Sequence, residues 1–235
     1  MANAVLMASG IGSRMRPLTE TTPKPLIAVC GKPMIETIID GLETAGMNRI
    51  YVVVGYLGDQ FRSIECKYNN VEIICNPYYE TVNNVSSIYV AREVLRQDDC
   101  FICEADLYVL DLNIFSKHPN YSCYYGRMTS GYSDDWGFEQ DAEGYITRVG
   151  KGVTDCYNMV GVTYLVQSDA AKVAAMIERI YGTDGYERLF WDDVIDKNLD
   201  NLRLRVFPVN GEQIVEIDTV SELRELEAKL MRVQA

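Results

Sequence analysis

A single histidine, His118, stands among the 235 residues. A histidine-based metal centre or a Ser-His-Asp triad would have to be built around that one residue, which lies in an exposed Lys117-His118-Pro119-Asn120 turn, and both are discounted. Positive charge is also scarce, with 22 Lys and Arg against 34 Asp and Glu and a formal net charge of −12. Nucleic acids and anionic membranes are bound through broad basic surfaces, so neither is an expected partner. No uninterrupted apolar run is long enough to span a bilayer. The N-terminus lacks a basic stretch and its apolar run stops at Ser9, which argues against a signal peptide and for a cytoplasmic protein. Cysteine is not scarce, but its number, seven, is odd. Cys30, Cys75, Cys103 and Cys123 sit in apolar runs, the pattern of reduced, buried, small hydrophobes. Cys100-Phe101-Ile102-Cys103 falls at the start of a strand and has no second pair, so neither zinc nor redox chemistry is read from it. Low-complexity linkers and internal repeats are missing too, and residues 1–235 read as one domain.

What the chain does have is a local positive cluster on this acidic background. Ala4-Val5-Leu6-Met7-Ala8 reads as a short buried strand. It runs into Ser9-Gly10-Ile11-Gly12-Ser13-Arg14-Met15-Arg16-Pro17-Leu18-Thr19, followed by Pro23-Lys24-Pro25-Leu26. Backbone that passes close to a phosphate needs residues without side chains, and Arg14, Arg16 and Lys24 stand ready to neutralise it. One small polyanion is therefore the expected ligand. Arg16 has a competing reading as a contact to its own backbone or to solvent.

Beyond the loop, apolar β-runs alternate with amphipathic stretches. Residues 33–45 have helical spacing, with Pro33 at the first turn and Gly46 past the end. Strands are expected at 50–55, 71–75 and 101–105, with helices at 59–67 and 85–96, the latter capped by Asn83 or Asn84. This alternation predicts a mainly parallel α/β sheet with helices on both faces. Ligands of such sheets bind at the carboxyl ends of the strands, where both the glycine loop and Asp106 fall. After Asp106 the texture changes to strands at 121–126, 137–140, 145–149 and 159–166, joined by turns, which predicts an antiparallel extension. Helices return at 168–181, 187–197 and 221–232, with strands at 202–208 and 214–217 between the last two. About 1–110 thus carry the glycine loop and about 111–235 the antiparallel extension.

Gly10-x-Gly12-Ser13-Arg14-x-Arg16-Pro17-Leu18-Thr19 with Pro23-Lys24-Pro25-Leu26 resembles the nucleotide loop of the sugar-phosphate nucleotidyltransferase superfamily, whose fold is Rossmann-like. The resemblance extends over essentially the whole chain. Asn83-Asn84-Val85-Ser86-Ser87-Ile88-Tyr89, Glu104-Ala105-Asp106, Asp135-Trp136, Phe190-Trp191-Asp192 and Glu216-Ile217-Asp218 look like those of the bacterial phosphocholine cytidylyltransferases. Two departures stand out: Ser9 replaces the usual Ala or Gly, and Phe190 replaces a Tyr, which removes a hydroxyl from the expected acceptor pocket.

The resemblance implies CMP transfer from CTP to phosphocholine, giving CDP-choline and pyrophosphate, with about 1–110 as the nucleotide-binding half and about 111–235 as the acceptor-binding half. Arg14 and Lys24 would be the catalytic cations, with Ala8, Ser9, Gly10, Gly12, Ser13, Asn83, Asn84 and Ser86 around the nucleotide. Asp106 and Asp218 would hold Mg²⁺, which takes oxygen ligands and is usually held by one or two carboxylates plus phosphate oxygens. Trp136, Phe190, Glu216, Lys151 and Asp192 would surround the acceptor, with Tyr108, Tyr132 and Trp191 as further aromatics for a trimethylammonium group. Asp134, Asp135, Asp192 and Asp193 would instead suit a primary ammonium, which keeps 2-aminoethylphosphonate and phosphoethanolamine open. A sugar 1-phosphate is a further alternative. The chemistry suits one histidine, because an anionic phosphate nucleophile needs no general base. Structural readings compete at several positions: Asp106 as a turn residue, Asp218, Asn83 and Asn84 as helix caps, Phe190 and Trp191 in helix packing, Lys151 as an exposed hairpin lysine. A monomer or a small homo-oligomer is expected.

Overall fold

The computed structural model describes residues 2–234. Strand β1 (Ala2–Ala8) leads through the glycine loop and a two-residue hairpin, β2 (Ala28–Val29) and β3 (Lys32–Pro33), into helix α1 (Met34–Thr44). Then follow β4 (Arg49–Val54), α2 (Arg62–Lys67), β5 (Val71–Cys75), α3 (Val85–Leu95), β6 (Asp99–Glu104) and β7 (Leu107–Val109). Strands β5, β4, β1 and β6 lie side by side and parallel. Burial along β1 shows why. Ala4, Leu6 and Ala8 pack with Ile35 and Ile38 of α1, whereas Val5 packs with Val53 and Ile88 on the opposite face. A two-residue period with both faces apolar is the mark of a strand covered by helices on each side.

The sheet continues through β9 (Ile146–Leu165), antiparallel to β6, then β8 (Cys123–Gln140) and β10 (Arg205–Pro208). The strands expected at 121–126 and 137–140 are two parts of β8, and those at 145–149 and 159–166 are parts of β9. The hairpin that they form doubles back: Gly137 pairs with both Gly150 and Asn158, and Phe138 with both Val149 and Tyr157. The reversal lies at Gly131 and Asp155, both at positive φ, where the Gly131 N–H donates to the Asp155 carboxylate at 2.7 Å. At the crossing a Cβ on residue 137 would meet Val153 Cγ2 at 2.6 Å and the Tyr157 carbonyl at 2.9 Å, so only glycine lets the two layers touch.

Helices α4 (Gln167–Ile180) and α5 (Trp191–Asp196) pack on the α3 side; α5 is shorter than the helix expected at 187–197. Strand β11 (Ile214–Glu216) pairs with β7 and leads into α6 (Val220–Gln234). Among the described residues no helix is long and apolar enough to cross a membrane. Two expectations about single residues are corrected. Cys30 and Cys75 are exposed, although Cys100, Cys103 and Cys123 are buried. His118 is half-buried, its ring 4.3 Å from that of Tyr164 and 5.6 Å from that of Phe101.

Candidate active site

A cleft of about 690 Å³ opens at the carboxyl ends of β1 and β6, with the doubled-back hairpin and the start of α5 as its far wall. It adjoins a smaller recess of about 250 Å³ walled by Ala8, Gly10, Gly12, Ser13, Arg14, Lys24, Asp106 and Asp218. The loop after β1 shapes that recess. Gly12 sits at φ 66°, and a Cβ there would lie 2.9 Å from Lys24 Cβ, so both conformation and proximity require glycine. Thr19 Oγ donates to the Gly12 carbonyl at 2.9 Å and closes the loop. Ser9 fits because its hydroxyl, 5% exposed as a residue, donates to the Val53 carbonyl at 3.1 Å and accepts from Ser87 at 3.3 Å. Arg16 lies outside the lining of both cavities.

Asp106 and Asp218, more than a hundred residues apart, meet through Lys24. Its ammonium lies 2.6 Å from Asp106 Oδ2 and 2.6 Å from Asp218 Oδ1, and Arg14 Nη2 approaches the same Asp218 oxygen at 2.7 Å. Burial alone would pull the Lys24 ammonium down, but the two carboxylates outweigh it and hold its pKa above the usual value. Asp218 is not the cap of α6. Thr219 is: its hydroxyl accepts the Glu222 N–H at 3.3 Å, while Glu222 accepts the N–H groups of Thr219 and Asp218, a capping box that leaves the Asp218 side chain to the site.

A second acidic group lies alongside. Carboxylate oxygens of Glu104, Asp106 and Glu216 fall within 4.8 Å of one another. Desolvation and the charges of Asp106 and Glu216 push Glu104 well above the carboxylate range; desolvation at the cleft floor, with Asp106 and Asp218, pushes Glu216 up to about 8. Asp106 Oδ1 is buried without a hydrogen-bond partner among the described residues, while Oδ2 already meets a cation. An oxygen-only donor set with one unsatisfied carboxylate oxygen fits a hard divalent ion.

The opposite wall brings Trp136 and Phe190 together edge to face, 5.5 Å between centroids, with Lys151, Asp135 and Asp192 also lining the cleft. Asp192 is 2% exposed and accepts the Tyr124 hydroxyl at 3.0 Å; burial raises its pKa to about 7. The three further aromatics do not reach the cleft. Trp191 packs in the core against Tyr124, Tyr108 lies with Met15 and Ile217, and Tyr132 is exposed and bonded to Asp134. Asp193 is committed to the start of α5, accepting the Phe190 N–H at 2.8 Å. Asn83 and Asn84 line the cleft, yet neither side chain caps α3. Asn84 Oδ1 accepts the Trp191 N–H at 2.9 Å and Asn83 Nδ2 donates to the Arg188 carbonyl, so they tie the start of α3 to the start of α5. Ser86 is buried in the same wall, its hydroxyl accepting from Asn76 at 2.9 Å and donating to the Asn83 carbonyl at 2.8 Å. Sequence reasoning missed Arg127, Asn158 and Tyr79 in the lining; each is a lone polar or aromatic residue with no motif around it.

The MobA-like NTP transferase domain matches residues 4–121. Over 221 residues the chain is 51% identical to the 2-aminoethylphosphonate cytidylyltransferase of Lancefieldella rimae, covering 94% of this chain and 90% of that one. It is 32% identical over 228 residues to the choline-phosphate cytidylyltransferase of Streptococcus pneumoniae, covering 95% and 96%. The solved structure of CTP:phosphocholine cytidylyltransferase from Streptococcus pneumoniae is similar with a TM-score of 0.89 at 30% identity, over 97% of this chain and 99% of that one.

Proposed function

The chain belongs to the MobA-like NTP transferase domain family and is a nucleotidyltransferase, and from that premise we propose that it transfers CMP from CTP to 2-aminoethylphosphonate, with release of pyrophosphate. The observation that carries the acceptor is the much higher identity to the aminoethylphosphonate enzyme than to the choline-phosphate enzyme. The phosphocholine expectation gives way accordingly. The cleft supports the same choice: its acceptor wall offers one Trp136–Phe190 pair beside Asp135 and Asp192, with Tyr108, Tyr132 and Trp191 absent from the lining. A quaternary ammonium wants an aromatic box, whereas a primary ammonium wants oxygen acceptors.

In this reading a phosphonate oxygen attacks the α-phosphorus of CTP in line. The new O–P bond forms as the bond to the β-phosphate oxygen breaks, and pyrophosphate leaves with the electron pair. The nucleophile is already anionic, so no side chain has to remove a proton. Arg14, 68% exposed at its side chain, is free to turn from Asp218 onto the entering triphosphate, and Lys24 faces the same recess. The loop N–H groups at Gly10, Gly12 and Ser13 hold the phosphates, and Asn83 and Asn84 border the nucleoside. Asp106 and Asp218 would hold Mg²⁺, which neutralises charge on the triphosphate when bound. Trp136 and Phe190 confine the acceptor, while the carboxyl groups of Asp192 and Glu216 offer oxygen acceptors to its ammonium. The chain works as one catalytic unit in the cytoplasm.

Pyrophosphate release with CTP and Mg²⁺ over a panel of acceptors tests this. The highest kcat/KM is expected with 2-aminoethylphosphonate, above phosphoethanolamine, phosphocholine and sugar 1-phosphates. A preference for phosphocholine or a sugar 1-phosphate would overturn the assignment.

A further inference from the structure

Among the polar groups of the acceptor wall that the mechanism leaves unused, Asn158 stands out by its surroundings. Asn158, in β9, lines the cleft and is 7% exposed. Its amide Nδ2 donates to Ser133 Oγ at 2.6 Å, and Ser133 Oγ also accepts the Asp135 N–H at 3.2 Å, so the amide is anchored to the returning layer of the hairpin. The other amide atom, Oδ1, is buried and has no hydrogen-bond partner among the described residues. Buried acceptors in folded proteins are nearly always paired, and those that are not call for an explanation. The crossing of the hairpin supplies the setting: Asn158 pairs in register with Gly137, next to Trp136, and Oδ1 lies 3.5 Å from where a Cβ on residue 137 would stand. An asparagine's terminal torsion is broad, so the amide can turn Oδ1 toward the cleft by giving up its bond to Ser133.

We propose that Asn158 determines acceptor specificity by accepting an N–H from the primary ammonium of the acceptor. The inference rests on the reading of an aminophosphonate acceptor. A trimethylammonium group has no N–H to offer, so its entry would leave Oδ1 unsatisfied, whereas a primary ammonium carries three donors. An orphaned polar atom in a binding site discriminates against a ligand that lacks its partner more strongly than an apolar wall can.

The test uses the full chain with Asn158→Leu and the near-isosteric Asn158→Asp, and measures kcat/KM for 2-aminoethylphosphonate and phosphocholine together with the KM for CTP. Asn158→Leu is expected to lower kcat/KM for 2-aminoethylphosphonate about 10- to 100-fold, the loss of one charge-assisted hydrogen bond, while sparing phosphocholine and the KM for CTP. Asn158→Asp keeps an acceptor and is expected to retain or improve the aminophosphonate reaction. Equal losses on both acceptors would reduce Asn158 to a packing role, and a raised KM for CTP would place its oxygen at the base instead. Loss of aminophosphonate turnover in Asn158→Asp would mean that the amide NH₂ faces the phosphonate, which overturns the proposal even if the leucine variant fails to fold. Wild-type turnover of 2-aminoethylphosphonate with an unaffected Asn158→Leu rejects this inference alone; no wild-type turnover rejects the acceptor reading and this inference with it.

Discussion

Asp192 is almost fully buried, receives one hydrogen bond from Tyr124, and has its pKa raised to about 7 by burial. An unfolded aspartate ionises near 4, so across the interval from about 4 to about 7 unfolding releases a proton. The stability contributed by the protonated form is complete below pH ~4 and is lost as pH rises toward 7. Asp192→Asn, which keeps the Tyr124 bond without the charge, should therefore match wild type near pH 4 and exceed it above pH 7. A shift of this size corresponds to about 4 kcal/mol, or roughly 10 °C in Tm for a chain of this length. Calorimetry at several pH values checks it; parallel Tm profiles would show that the carboxyl ionises freely in the fold. Lys24 poses the complementary case. Its ammonium lies between Asp106 and Asp218, the two carboxylates proposed to hold Mg²⁺. Lys24→Met should therefore raise the affinity for Mn²⁺ in the absence of CTP by roughly tenfold or more, because a competing charge at contact distance is removed. Mn²⁺ binding followed by electron paramagnetic resonance reads this without turnover, and an unchanged affinity would remove Lys24 from competition with the metal.

Among the elements, the β8–β9 hairpin decides the shape of the acceptor wall. Trp136, Lys151 and Asn158 reach one cleft because the hairpin folds over itself at Gly131 and Asp155 and its layers touch at Gly137. Gly137→Ala forces Val153 and the Tyr157 backbone to move. It should destabilise the fold by about 1–3 kcal/mol, the usual effect of overpacking. It should also raise KM for the acceptor more than KM for CTP, since the recess proposed for the triphosphate lies on β1 and its loop. Equal changes in both KM values would show that the wall does not shape the acceptor site. The same hairpin was the least legible element in the sequence. Bulges between 124 and 140 shift the alternation of apolar and polar residues, so two long strands read as four short ones. By contrast β1, β4, β5, α1 and α3 follow their periodicity closely, because each packs against the core along a regular face.

Over the whole molecule, legibility divided along the same line. The glycine loop was readable because glycines, cations and a strand end coincide locally. The Asp106–Asp218 pairing entered only through resemblance, because β11 returning to β7 brings together residues that no spacing connects. With sixteen tyrosines in the chain, residue type alone could not separate Tyr108 and Tyr132 from a binding site. The cleft lies between the two halves, yet one seven-stranded sheet runs through both, and α3 packs on α4 across the division. Nucleotide binding should therefore stabilise the chain as a unit. Mg²⁺ with CTP at about a hundred times the dissociation constant contributes about 2.7 kcal/mol by mass action. At roughly 2–4 °C per kcal/mol, a single calorimetric transition should move up by about 5–10 °C without splitting. Mg²⁺ alone should move it far less, since Lys24 already sits between the two aspartates. A melt in two steps, with only the first half shifted by ligand, would show that the acceptor half folds independently and that the shared sheet does not couple it to the nucleotide site.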